Sequence, residues 1–103
     1  MNIERIQLLE KYIAEDPEEP FNRYALALEL MHEDQPRATQ ILLDLIKHKP
    51  DYIPSYYQAA TLLLDQNNFE EAKIVVERGL KMCHEQKDRK TANELRMLLD
   101  ELD

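Results

Sequence analysis

Apolar residues recur at three- and four-residue steps along the whole of this chain, the spacing that places side chains on one face of an α-helix. Ile3, Ile6, Leu9 and Ile13 form a first stripe, closed by Asp16-Pro17. Phe21, Tyr24, Leu28 and Met31 form a second, ending around Glu33-Asp34, and Ile41, Leu42, Leu45 and Ile46 a third, ending at Pro50. Tyr56, Ala60, Leu63 and Leu64 form the fourth, ended at Asn67-Asn68. Phe69, Ala72, Val75, Val76 and Leu80 make the fifth, and Ala92, Leu95, Leu98, Leu99 and Leu102 the sixth. No stretch sustains the alternation of a strand. The pattern predicts six helices joined by short turns.

The boundaries have their own chemistry. Proline is tolerated in a first helical turn, where its missing N–H is not needed, so Pro20, Pro36 and Pro54 read as helix beginnings. Asn68 with Glu71 three residues on is an arrangement that can satisfy orphan amides at a helix start. Glu18 and Glu19 fall where a helix dipole favours negative charge.

Two of these helix pairs match at an offset of 34 residues. Pro20 and Pro54, Ala25 and Ala59, Leu28 and Leu62, and Leu30 and Leu64 coincide in the first helices. Ala38 and Ala72, Ile41 and Val75, Leu42 and Val76, Ile46 and Leu80, and Lys47 and Lys81 coincide in the second. Nine matches at one offset mark a structural repeat. Small residues at Ala27, Ala38, Ala60, Ala72 and Gly79 let helix axes approach closely. Gly79 is the telling one, because glycine inside a helix costs about 1 kcal/mol relative to alanine; close packing against the last helix is the expected compensation.

A helix pair repeating every 34 residues resembles the tetratricopeptide repeat family. The unit from Ile53 to about Gln86 carries the likeness best: Ala60 at the small position of the first helix, a polar turn through Asn67-Asn68, Phe69-x-x-Ala72, Val76, and Gly79 at the small position of the second. The unit from Glu19 to Tyr52 matches with Ala27 and Ala38 spaced 11 residues apart against 12 for Ala60 and Ala72, which predicts an inter-helix turn one residue shorter. Lys49-Pro50-Asp51 resembles the repeat-closing proline of the family; His84 stands at the equivalent place later, so the fifth helix is expected to run on. Pro20 to Leu28 together with Asp88-Arg89-Lys90-Thr91 is similar to a group of small bacterial tetratricopeptide proteins. The resemblance implies one domain spanning 1–103: a half-repeat helix at 2–16, repeat 1 at 19–52, repeat 2 at 53–86 and a capping helix at 88–102. The implied fold is all-α, a right-handed α-α superhelix of about six antiparallel helices.

Composition narrows the function. Thirteen basic against twenty-one acidic residues leave a net charge of −8, and neither half of the chain is basic. Phosphate-backbone binding relies on clustered Lys and Arg; the one cluster, Lys87, Arg89 and Lys90, reads as a solvated helix start, so nucleic acid and anionic membrane are not expected partners. A single glycine leaves no phosphate loop of the Gly-rich kind. The N-terminal residues do not resemble a signal peptide, and one cysteine allows no intrachain disulfide, so a cytoplasmic location is expected. His32, His48 and His84 fall in different segments, and Cys83 and His84, being adjacent, point about 100° apart on a helix. Neither a metal, a cofactor nor a catalytic residue is expected.

What remains is recognition. In the tetratricopeptide family the first helices line a concave face, which the resemblance maps here to Phe21, Tyr24, Leu28, Met31 and His32, then Pro54, Tyr57, Thr61, Leu64 and Asp65. Tyrosine offers a rigid apolar body with a polar tip, suited to holding a partner. The expected activity is binding of a peptide or helix segment of another protein in an apolar groove, with Tyr24 and Tyr57 as anchors and Thr61 as a hydrogen-bonding group. The alternatives are a homodimer or larger homo-oligomer that covers the face with a second copy, and a face filled by the C-terminal helix. Tyr24, Leu28, Tyr57 and Thr61 stand where relatives that clamp the carboxylates of chaperone tails carry cations, so no such clamp is expected.

Overall fold

Six α-helices make up most of residues 2–102, the part of the chain that this computed structural model describes, and no strand occurs among them. They are α1 (Ile3–Glu15), α2 (Pro20–Leu30), α3 (Gln35–His48), α4 (Pro54–Asp65), α5 (Phe69–Gln86) and α6 (Arg89–Leu102). Their starts follow the chemistry of orphan amides. Asn2, Glu19, Asp34 and Asp88 each accept a hydrogen bond from a backbone N–H in the helix that follows. Pro20, Pro36 and Pro54 lie in first turns.

Two boundary expectations are corrected. Asn68 precedes α5, but its side chain makes no cap bond; its carbonyl accepts from the Ala72 N–H at 3.1 Å, and the first turn lies open to water. The turn between α2 and α3 is longer, not shorter: residues 31–34 against 66–68 between α4 and α5. The missing residue is taken from the end of α2, which stops three residues past Ala27, whereas α4 runs five past Ala60. The closures explain why. After α4, Asn67 adopts the left-handed conformation (φ 60°), and Asn67 and Asn68 return hydrogen bonds to the Leu64 and Leu63 carbonyls, a closure that reverses the chain quickly. After α2 no residue has positive φ, and the Glu33 and Asp34 amides both bond the Leu30 carbonyl instead. Burial consequently repeats at 33 in the first helices, where Ala27 and Ala60, and Leu30 and Leu63, are buried, and at 34 in the second. Leu28 and Leu62, matched by sequence, differ: the first is exposed and the second buried.

The chain divides between Tyr52 and Ile53 into two compact units. In the first, α2 packs on both α1 and α3. Ile6 and Leu9, Ala25 to Ala27 with Leu30, and Ala38, Leu42, Leu45 and Ile46 are its buried apolar residues. Charges tie its segments together at the surface: Arg5 on α1 to Glu29 on α2 at 3.3 Å, Arg37 on α3 to Glu10 on α1 at 3.5 Å, and Lys49 to Glu18, in the turns that follow α3 and α1, at 2.9 Å. Arg23 reaches back to the Pro17 carbonyl.

In the second unit α4, α5 and α6 pack against one another. Its buried residues centre on Tyr56, Leu62, Leu63, Val76, Cys83 and Leu95. Gly79 lies where they converge: a Cβ there would stand 2.8 Å from both the Leu95 Cδ1 and the Tyr56 Cβ. α5 runs to Gln86, 18 residues against the 14 of α3, as the absence of a proline at His84 implies. Ile3 and Phe69, the first members of their apolar stripes, are exposed, unlike Ile6, Leu9, Ala72, Val75 and Val76. Each is the first residue of its helix, and helical side chains lean towards the N-terminus, so both project past the helix end.

Candidate interaction surface

The geometry of α2 sets the second stripe apart from the helix's buried face. Its inward face is closed by Ala25, Leu26, Ala27 and Leu30, all buried. Phe21, Tyr24, Leu28 and Met31, spaced by three and four residues, share the other side. Phe21 and Leu28 are 53% and 38% exposed, while Tyr24 and Met31 are half-buried. Tyr24 is held by a residue that sequence periodicity does not single out: Tyr52, in the turn after α3, meets it edge-on with ring centroids 5.7 Å apart and planes at 67°. Such a contact is favourable beyond simple burial. Burial, with Tyr24 and Glu19 nearby, pushes the Tyr52 hydroxyl pKa upward. At the other end of the stripe, Leu28 lines an open cleft of about 900 Å³ with Ile3 and His32, rimmed by Glu4, Glu29 and Glu33. Ile3 thus adds apolar surface that only its position at the helix end could have signalled.

On α4 the corresponding residues are Tyr57, Thr61 and Leu64, on one side of the helix and each half-buried. Pro54 and Asp65 at the ends are exposed. The Thr61 hydroxyl donates to the Gln58 carbonyl at 2.9 Å, so what it has left for a partner is acceptor capacity. Ala27, Ala38, Ala60, Ala72 and Gly79 are all buried in their units.

Cys83 and His48 lie outside these stripes. Cys83 is 1% exposed, and burial pushes its thiol pKa up, away from the thiolate a nucleophile needs. His48 bonds the Asp44 carbonyl of its own helix. Among the described residues no three His, Cys, Asp or Glu side chains gather as a metal would require, and no helix is long and apolar enough to cross a membrane.

No family model matches the sequence, and no curated protein matches it. Solved structures do. The solution structure of a tetratricopeptide repeat domain protein from Salinibacter ruber is 30% identical, covering 85% of this chain and 90% of that one, with a TM-score of 0.79. A crystal structure of a tetratricopeptide repeat domain protein from the same organism gives 28% identity, 82% and 96% coverage and a TM-score of 0.78. A Bordetella parapertussis protein, 21% identical over 99% of this chain and 88% of its own, has a TM-score of 0.79 and speaks to the fold alone. Paired helices, small residues at the contacts and this likeness over most of both chains agree: the fold is an all-α helical repeat, and the chain belongs to the tetratricopeptide repeat family.

Proposed function

We propose that this tetratricopeptide repeat protein is a non-enzymatic interaction module that holds a peptide or helical segment of another protein through the stripes on α2 and α4. Residues 2–16 and 88–102 serve as flanking half-repeat and capping helices around repeats 19–52 and 53–86. The observation that carries the reading is the state of α2: Phe21 and Leu28 stay open to water on a helix whose opposite face is closed. Apolar surface kept open beside a ring fixed by Tyr52 suits a partner's side chains at small ordering cost. Tyr24 and Tyr57 are the anchors, Leu28, Met31 and Leu64 the apolar floor, and the Thr61 oxygen an acceptor.

The test is affinity capture from lysate of the source organism with two variants, Tyr24→Ala/Tyr57→Ala and Phe21→Ser/Leu28→Ser. The second pair is exposed, so it leaves the core intact. Loss of the same captured protein with both, at unchanged circular dichroism, is the expected result; capture that survives both overturns the reading. Light scattering during size exclusion separates it from self-association: a dimer that the serine pair dissociates would make the second copy the occupant.

A further inference from the structure

Three cations of this acidic chain meet at one corner. α5 ends with Lys87 in the left-handed conformation, the Asp88 N–H bonds the Cys83 carbonyl at 2.9 Å, and α6 begins at the next residue. This abrupt reversal leaves a cleft of about 640 Å³ between the end of α5 and the start of α6. Lys87, Arg89 and Arg96 line it with His84, over a floor that includes Cys83 and Ala92. Arg89, Ala92 and Arg96 are spaced by three and four residues, so one side of α6 supplies both guanidinium groups.

Among the described residues no carboxylate forms an ion pair with these cations. In the first unit Arg5, Arg37 and Lys49 each reach a glutamate on another segment. Lys87, Arg89 and Arg96 form no ion pair with any described carboxylate; Arg96 donates to the neutral Asn93 side chain at 3.0 Å. Asp88 is the one carboxylate lining the cleft; it accepts from the Thr91 N–H at 3.1 Å, and bonds from Thr91 hold its pKa below the ordinary value, so it stays an anion and offsets one of the three positive charges. Arg89 also opens α6, where the helix dipole disfavours a cation. Three basic residues beside one carboxylate therefore leave the cleft with an excess of positive charge at a place where a helix start alone would favour an acid.

We propose that the α5–α6 cleft binds a phosphate monoester dianion, with Arg89 and Arg96 as the principal contacts and Lys87 as a further charge. Guanidinium forks match phosphate oxygens in pairs, and a dianion answers several cations better than a single carboxylate does. The volume exceeds what a bare phosphate fills, and the partly apolar floor suits an ester with an organic body. This site is independent of the stripes on α2 and α4.

The test is titration of the isotopically labelled full chain, followed by amide NMR at constant ionic strength. Phenyl phosphate, O-phosphoserine and inorganic phosphate are the probes, and benzoate is the carboxylate control. Saturable shifts confined to the amides from His84 to Arg96 are expected with the esters, phenyl phosphate and phosphoserine separating a ring-bearing small molecule from a phosphorylated side chain. Arg89→Gln and Arg96→Gln should each weaken binding about tenfold, the loss of one charge-assisted contact, while Arg78→Gln, on α5 outside the cleft, should not. Shifts that fail to saturate, benzoate binding as tightly as phenyl phosphate, or equal weakening by Arg78→Gln would each overturn the proposal.

Discussion

Gly79→Ala sets two physical effects of opposite sign against each other. In an open helix the change is favourable by about 1 kcal/mol, because alanine restricts the unfolded chain and suits the helix. Here the new methyl would stand 2.8 Å from the Leu95 Cδ1 and 2.8 Å from the Tyr56 Cβ, where carbon atoms prefer about 3.5–4.0 Å. Leu95 could give by rotation, although it is fully buried; Tyr56 Cβ is fixed to the backbone of α4 and cannot. Overpacking of this kind costs about 1–3 kcal/mol, so the alanine variant should be less stable by about 1 kcal/mol in net. Gly79→Leu, with three more carbons to place, should lose about 3 kcal/mol. Urea unfolding followed by circular dichroism reads the difference; at a slope of about 1–2 kcal/mol/M the alanine midpoint falls by roughly 0.5–1 M. An alanine variant as stable as the parent, or more so, would mean that helix propensity dominates and that the helices do not meet as closely as argued.

Three further outcomes follow from single groups. Ser55 is fully buried and its hydroxyl finds no partner, so Ser55→Ala should raise stability by about 1 kcal/mol in the same urea assay; a loss would show that the hydroxyl is satisfied. Lys87 holds φ at 60° without being glycine, and Lys87→Gly should stabilise by about 0.5–1 kcal/mol, whereas destabilisation would count against the left-handed cap. Lys49 holds the Glu18 carboxyl below its ordinary 4.5 and is itself raised above 10.5. The pair's contribution is therefore complete between those two values, is lost as pH falls through the lowered Glu18 pKa, and is lost again as pH rises through the raised Lys49 pKa. Carboxyl NMR should find Glu18 titrating higher in Lys49→Gln than in the parent; identical titrations would exclude the pair in solution.

The helices were legible because a helical period states itself in every three or four residues, and prolines and acids mark the starts. What the period cannot state is depth. Ala25 stands at a helical angle close to those of Phe21 and Leu28, yet it is closed and they are open; only the position of α1 and α3 decides. Spacing between Ala27 and Ala38 reveals a missing residue but not its place, since helix end and turn are interchangeable until the closure is known. Lys87 in a left-handed cap runs against composition, which would put glycine there. Tyr52 lies 28 residues from Tyr24, and a contact between segments that far apart leaves no local trace.

The internal repeat also makes the chain its own control. At an offset of 33 on the first helices and 34 on the second, Ala27 and Ala60 correspond, as do Ala38 and Ala72, and Leu42 and Val76; these buried positions keep helix pairs at one spacing with no change of character. The same offsets set Arg23 against Tyr56 and Leu45 against Gly79. In the first unit Arg23 and Leu45 line one small cleft, with the arginine head turned out to the Pro17 carbonyl. In the second unit the tyrosine is buried, and the residue facing it has shrunk to glycine. A large side chain on α3 opposite a departing one on α2 has become a large side chain on α4 opposite none on α5. The buried bulk at the contact thus comes from α3 in the first unit and from α4 in the second. A family motif that names a small residue at Gly79 therefore records half of a pair, and the identity of Tyr56 is what gives that glycine its meaning.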